Sequence, residues 1–175
     1  MESLVTAIIG RLTRQRHYHL GWLLRSGPKE GTLRISQLLD SKGALVVTLA
    51  PDARVSELVG EITRRKIGAV VISSDRRTVE GIASERDVVR ALNEFGAAIL
   101  DEPVRAIMTE DVHTSSPEDT VDSLMATMTN HRIRHVPVVD QGVLVGIVSI
   151  GDVVKVRMEE LEKDREALVN YIGAR

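Results

Sequence analysis

The sequence predicts an α/β (α+β) fold made of two copies of a β-α-β-β-α unit, packed as a pseudo-twofold pair. Two observations predict it. The first is an internal repeat that holds its register across each half of the chain. The second is an apolar pattern that alternates between helical spacing and short continuous runs, the mark of helices packed on buried strands.

The repeat is visible residue by residue. Pro51 and Pro117 stand 66 positions apart, and at that offset Val55 meets Val121, Leu58 meets Leu124, Ile62 meets Met128 and Ile67 meets Ile133. One position then drops out. Asp75 matches Asp140, Gly81 matches Gly146, and the nine residues Gly81–Val89 lie on Gly146–Val154 with glycine, isoleucine, serine, aspartate and two valines in common.

The elements follow in order. Leu45–Leu49 is a short apolar strand stopped by Pro51. Val55, Leu58, Val59 and Ile62 recur at three- and four-residue spacing, one face of a helix. Ala69-Val-Val-Ile72 is a run expected of a strand buried on both faces. A polar turn, Asp75–Thr78, leads into the strand Val79–Ala83. A helix follows from Glu85 with Val88, Val89 and Leu92 facing inward. The second unit copies this: a helix through Val121, Leu124, Met125 and Met128, the run Val136–Val139, a turn at Asp140-Gln-Gly142, the strand Val143–Val148 and a long final helix. The division expected is an appendage at 1–31, repeats at 32–100 and 101–157, and a helical extension at 158–175.

Composition narrows the function. A hydrophobic share of 43% and a charged share of 27% are ordinary for a globular chain. A formal net charge of −2 offers no basic field for nucleic acid or an anionic membrane. The absence of cysteine removes disulfides and thiolate chemistry, and a cytoplasmic setting is expected. Tyr18, Trp22, Phe95 and Tyr171 are the only aromatics, too few to stack single-stranded bases. No stretch reaches the ~20 apolar residues of a membrane span. Met1–Gly10 is apolar and precedes Arg11, Arg14 and Arg16, the reverse of a secretory signal. His17 and His19 have no flanking carboxylate, so no metal is expected there.

The candidate site residues are the repeated Ser84-x-x-Asp87 and Ser149-x-x-Asp152, each where a strand gives way to a helix. Ser-x-x-Asp at that place is a capping box, worth about 1 kcal/mol as a cap. The same place offers free N–H groups and a positive dipole end to a phosphate, and a carboxylate there can accept both hydroxyls of a ribose. Both readings stand on the residues alone.

Hydrophobic-x-His-Val-Pro-Val-Val-Asp followed by Gly-Ile-Val-Ser-x-x-Asp-Val-Val resembles the CBS domain, named after cystathionine β-synthase. Two in tandem resemble the Bateman module of inosine monophosphate dehydrogenase and of the γ subunit of AMP-activated kinase. The likeness spans roughly Arg34 to Arg157. It implies a regulatory module without catalysis that binds AMP, ADP, ATP, NAD or S-adenosylmethionine and pairs as a homodimer, reporting occupancy to an unidentified protein target. It implies two clefts between the repeats. One joins Ser149, Gly151 and Asp152 to Thr48, Ala50 and Pro51; the other joins Ser84, Arg86 and Asp87 to Thr114, Ser116 and Pro117. Ile67, Ala69, Ile133 and Val136 would sandwich the adenine, with Arg134 and His135 near the phosphates. Arg86 against Gly151 makes the two clefts unequal. A ligand-free dimerisation scaffold and a nucleic-acid binder are the alternatives.

Cations also mark both helix ends, Arg64-Arg65-Lys66 and His131-Arg132-x-Arg134-His135, where they complement the helix dipole. His131 and His135 are four apart, but the helix must stop before Pro137 and no glutamate follows His131, so no zinc site is expected. In the final helix Val154, Met158, Leu161, Leu168 and Ile172 share a side, with Glu159–Lys163 as an i,i+4 pair: a core or dimer stripe, or a partner-docking one.

Overall fold

The computed structural model of the chain describes residues 33–43 and 46–173. The appendage at 1–31 with His17 and His19, and Leu45 of the first strand, lie outside the described residues.

The elements run α1 (Ile35–Lys42), β1 (Thr48–Leu49), α2 (Val55–Arg65), β2 (Ala69–Ile72), β3 (Gly81–Ser84), α3 (Glu85–Phe95), two 3-10 turns (Gly96–Asp101 and Val104–Ala106), α4 (Val121–His131), β4 (His135–Asp140), β5 (Val143–Ser149) and α5 (Ile150–Gly173). This is the α/β repeat pair that the sequence predicts. In the first half β1 lies parallel to β2, and β2 pairs antiparallel with β3. In the second, β4 and β5 form the matching hairpin, with a register shift between Val138 and Val139.

The second half departs from the expected pattern at its first strand. Where β1 would recur there is one parallel bridge, Ser115 to Val138. The reason is Pro137. In the first half, Val71 donates its N–H to the Val47 carbonyl and Ser73 donates to Leu49. In the second, Val139 donates to Ser115 as Ser73 does, but the residue matching Val71 is proline and has no N–H to give. Ser115 also donates to the Pro137 carbonyl, so two bonds survive around Ser115, and without a third the strand does not extend.

The helices start and stop on local signals. The Glu57 carboxylate accepts the Arg54 N–H at the start of α2, and the Thr120 hydroxyl accepts the Ser123 N–H at the start of α4. Both helices end on a left-handed residue, Lys66 and Arg132, whose N–H groups close onto the last turn. Arg64 and Arg65 pair with Glu61 and hold its carboxyl below the usual range, Arg65 first among the causes. These cations serve their own helix.

Two hydrophobic cores result, and each draws on both halves of the sequence. Val55, Leu58, Ile62, Val70, Ile72, Ala83, Val88 and Ala91 enclose Ile99, Val104 and Ile107. Val121, Leu124, Met128, Val136, Val138, Val148 and Val153 enclose Ile35, Leu38 and Leu39 of α1. Burying one such leucine contributes about 1.5–3 kcal/mol. The exchange is twofold. Val121 donates to Leu33, Ile35 to Asp119 and Ser36 to Pro117; in the mirror set Val55 donates to Glu102, Val104 to Ala53 and Arg105 to Pro51.

On α3 the inner face differs from the expected one. Val88 and Ala91 are buried, whereas Val89 and Leu92 are exposed. Adjacent helical positions lie about 100° apart, so Val88 and Val89 cannot both enter a narrow core. Met125 of α4 is exposed for the same reason beside the buried Leu124. Among the described residues of α5 only Val153 is fully buried, with Ile150 and Val156 packed partly on the second core. Val154, Met158, Leu161, Leu168 and Ile172 are all exposed, so the stripe is not core. The ion pairs that α5 forms include Lys155–Glu159 and Arg157–Glu160, and Arg157 also reaches Asp122 of α4.

Candidate functional site

A cleft of about 380 Å³ opens between the repeats, within the range of small-molecule sites. Its floor is the hand-over from β3 to α3. Ala69 pairs with Ser84 across the hairpin, and Glu85 donates its N–H to Gly68, which fixes the start of α3 beside the end of β2. Ser84, Glu85, Arg86, Asp87 and Arg90 face the cleft from this side. Thr109, Asp111, Val112 and His113 face it from the segment leading into the second repeat, and His131, Arg132, Ile133, Arg134 and His135 from the turn between α4 and β4.

Asp87 is nearly buried at 8% exposure. Its Oδ2 accepts the Ser84 N–H at 2.9 Å and the Ser84 hydroxyl at 2.6 Å, while its Oδ1 accepts Arg90 at 2.8 Å. The carboxylate therefore belongs to the helix cap and lines the cleft at once. Arg86, Arg90, Arg132 and Arg134 face Glu85, Asp87 and Asp111. With three histidines added, that lining suits a ligand carrying negative charge.

The histidines are placed in two ways. The rings of His113 and His131 lie 3.8 Å apart between centroids, tilted by 37°. His135 sits over Gly68, where a Cβ would come within 2.8 Å of its Cε1. Burial pushes the His135 imidazole below its ordinary value, and Lys42 and Arg134 add to this, while Asp152 and Glu85 oppose it. His131 ends a helix and His135 opens a strand, so their four-residue spacing shares no helix face. Among the described residues no group of three or more metal-ligating side chains occurs.

The second serine–aspartate turn has a different setting. Asp152 Oδ2 accepts the Ser149 N–H and hydroxyl, each at 2.7 Å, and Lys42 Nζ at 2.5 Å. The Ser149 hydroxyl in turn accepts the Asp152 N–H at 3.3 Å, completing a capping box. Burial raises the Asp152 carboxyl, but Lys42 and Ser149 outweigh it and hold the group below the ordinary value.

Of the residues the sequence singles out, Ala69, Ser84, Arg86, Asp87, Ile133, Arg134 and His135 meet in this cleft. Thr114, Ser116 and Pro117 are not in its lining. Ser116 is occupied in its own turn, its N–H bonded to Asp119 and its hydroxyl accepting Glu118 N–H. Ile67 packs on the first core and Val136 is fully buried in the second, so Val136 has no face left for a ligand. Ser149, Gly151 and Asp152 form their turn, while Thr48, Ala50 and Pro51 lie at β1 and the turn after it. A second hollow of about 400 Å³ runs along Ser36, Leu39, Asp40, Pro117 and Asp140, and no residue of that turn lines it. Sequence reasoning missed Lys42, Asp111 and His113, which reach their places only through tertiary packing; it read Arg132 as a helix-end cation, whereas Arg132 also lines the cleft beside Ile133. Arg90, one helical turn after Asp87, was within its reach.

A sequence model of the CBS domain matches residues 46–94 and again 104–159, more than half of the chain. The chain belongs to the CBS-domain family. The mitochondrial CBS domain-containing protein CBSX3 of Arabidopsis thaliana is 34% identical over 79% of this chain and 71% of its own. A CBS-domain-containing protein of Agrobacterium tumefaciens is 46% identical, with a TM-score of 0.69 over 71% of this chain and 99% of that one. The CBS-domain protein of Pyrobaculum aerophilum, solved in complex with AMP, is 32% identical, with a TM-score of 0.62 over 69% of this chain and 89% of that one. In CBS terms, the cleft joins the end of the first repeat's hairpin to the helix–strand turn of the second. No helix among the described residues is long and apolar enough to cross a membrane.

Proposed function

We propose that this CBS pair is a regulatory module that binds an adenine nucleotide, AMP foremost, in the cleft floored by Ser84 and Asp87, and reports occupancy to a partner protein. The observation that carries this reading is the placement of Asp87: a nearly buried carboxylate at a helix start, opening on a cleft with four arginines. In this reading the carboxylate accepts the ribose hydroxyls, exchanging its exposed Arg90 partner for them. The α3 N-terminus with Arg86 and Arg134 receives the phosphate. Ala69 and Ile133 flank the base. The AMP complex of the Pyrobaculum relative supports the ligand class; ADP, ATP and NAD share the adenosine half and are its competitors.

The cleft is lined from both repeats, so a ligand there favours one relative arrangement to the extent of its differential affinity. The reading gives the chain no catalytic step and pairs two copies through the apolar residues exposed on α3 and α5, including Val89, Phe95, Val154 and Met158. It places the protein in the cytoplasm.

The test is a melting series with AMP, ATP and NAD. At 100-fold excess over its dissociation constant a ligand stabilises the fold by about 2.7 kcal/mol. A rise in melting temperature with AMP, without turnover when ATP is supplied, supports the module. No rise with any of the three leaves a ligand-free dimerisation scaffold, and salt-dependent retardation of nucleic acid in a gel would replace it with a nucleic-acid binder.

A further inference from the structure

We infer that Lys42 reserves the second serine–aspartate turn and so directs the nucleotide to the first cleft, one per chain; removing its ammonium opens a second site. This rests on the nucleotide reading above and deepens it.

The two halves match closely enough for the difference at this point to stand out. In the exchanged segments Leu33, Ile35 and Ser36 make the same backbone bonds as Glu102, Val104 and Arg105. Leu39 and Met108 stand over the matched Gly146 and Gly81. In that register Lys42 corresponds to Asp111. At one position the second half holds a cation and the first an anion.

The consequences for the two carboxylates are opposite. Asp152 Oδ2 receives three donors, from the Ser149 N–H, the Ser149 hydroxyl and Lys42. Lys42 makes a second bond, 3.1 Å, to the Ile147 carbonyl. Its stem leaves α1, whose Ile35, Leu38 and Leu39 are buried in the second core, so the ammonium is held by an anchored helix. The Lys42 and Asp152 side chains are 34% and 23% exposed, so the pair is partly shielded from solvent.

In the first half Asp111 lines the cleft and cannot neutralise Asp87. The backbone carbonyl of Ile82, the match of Ile147, is already bonded to the Thr109 N–H at 2.9 Å. Among the described residues Asp87 forms its one direct ion pair with Arg90, from its own helix and 63% exposed. A flexible, solvated arginine yields its place more readily than a lysine fixed at two points. A ribose diol offers two hydrogen-bond donors to one carboxylate, and of the two carboxylates Asp87 is the one it can take.

Isothermal titration of the full chain with AMP tests this, on the natural sequence and on Lys42→Ala and Lys42→Met. The Met variant keeps the length of the stem and guards against misfolding, which circular dichroism monitors. The expected result is one AMP per chain, weakened at least tenfold by Asp87→Asn, and two per chain in both Lys42 variants, returning to one in Lys42→Ala/Asp152→Asn. Two sites in the natural chain, or one in the Lys42 variants, overturns the inference and leaves the nucleotide reading intact. Weaker binding in the variants also overturns it, making Lys42 a ligand contact. If only the variants bind AMP, the role of Lys42 stands and the first-cleft reading fails; if no form binds, both fail.

Discussion

Gly146 and Leu39 touch from opposite ends of the described chain: a Cβ on Gly146 would stand 2.6 Å from Leu39 Cδ2 and 2.8 Å from its Cδ1. Leu39 is buried on α1 and Gly146 is buried in β5, so the contact holds α1 in the second core. Gly146→Ala is therefore expected to destabilise the fold by about 1–3 kcal/mol through overpacking. Leu39→Ala alone leaves a cavity and costs about 2–5 kcal/mol. Because the two share one space, the double variant is expected to lose less than the sum. Urea midpoints of the four proteins measure it, and strict additivity would contradict the contact.

The half-buried His135 makes stability depend on pH. Burial first, and then Lys42 and Arg134, keep its folded value below the free value of 6.5, against the pull of Asp152 and Glu85. Below 6.5 the unfolded chain therefore binds more protons than the folded one, so stability rises with pH there. The contribution is whole above the free value and declines as pH falls from it toward the folded value. Urea denaturation between about pH 7.5 and about pH 5.5 is expected to show that decline, and His135→Gln to flatten it. An equal slope in His135→Gln would place the titration elsewhere.

Pro137→Val restores the N–H that the first half supplies at Val71. A new bond to the His113 carbonyl contributes about 0.5–1.5 kcal/mol. Removing proline frees the unfolded chain and costs about 0.4–1 kcal/mol. The two nearly offset, so the expected readout is local: slow hydrogen exchange at the valine 137 amide with little change in midpoint. Fast exchange there would show that the strand fails for another reason.

Much of this was legible in the sequence because it rests on local rules. The helix faces through Val55, Leu58 and Ile62 and through Val121, Leu124 and Met128 follow from spacing, and the caps at Ser84 and Ser149 from residue type. The first-cleft residues Ser84, Arg86, Asp87, Arg134 and His135 were reached through the repeat and the resemblance it carries. What was not legible depends on which chain segment returns to which core. Nothing local says that Ile35, Leu38 and Leu39 pack with the second repeat, and so nothing brings Lys42 to Asp152. The same holds for His113 and His131, eighteen positions apart in the chain and in ring contact in space. The lost strand beside β4 was readable in principle, since Pro137 is in plain sight; the repeat masked it.

The central claim is that the nucleotide sits on Asp87. Titrating AMP into the natural chain, Asp87→Asn and Asp152→Asn by calorimetry tests it most directly, since both variants keep side-chain shape and lose one carboxylate each. The account predicts at least a tenfold loss of affinity, about 1.4 kcal/mol, in Asp87→Asn and unchanged affinity in Asp152→Asn. Full affinity in Asp87→Asn, or a loss confined to Asp152→Asn, would contradict it.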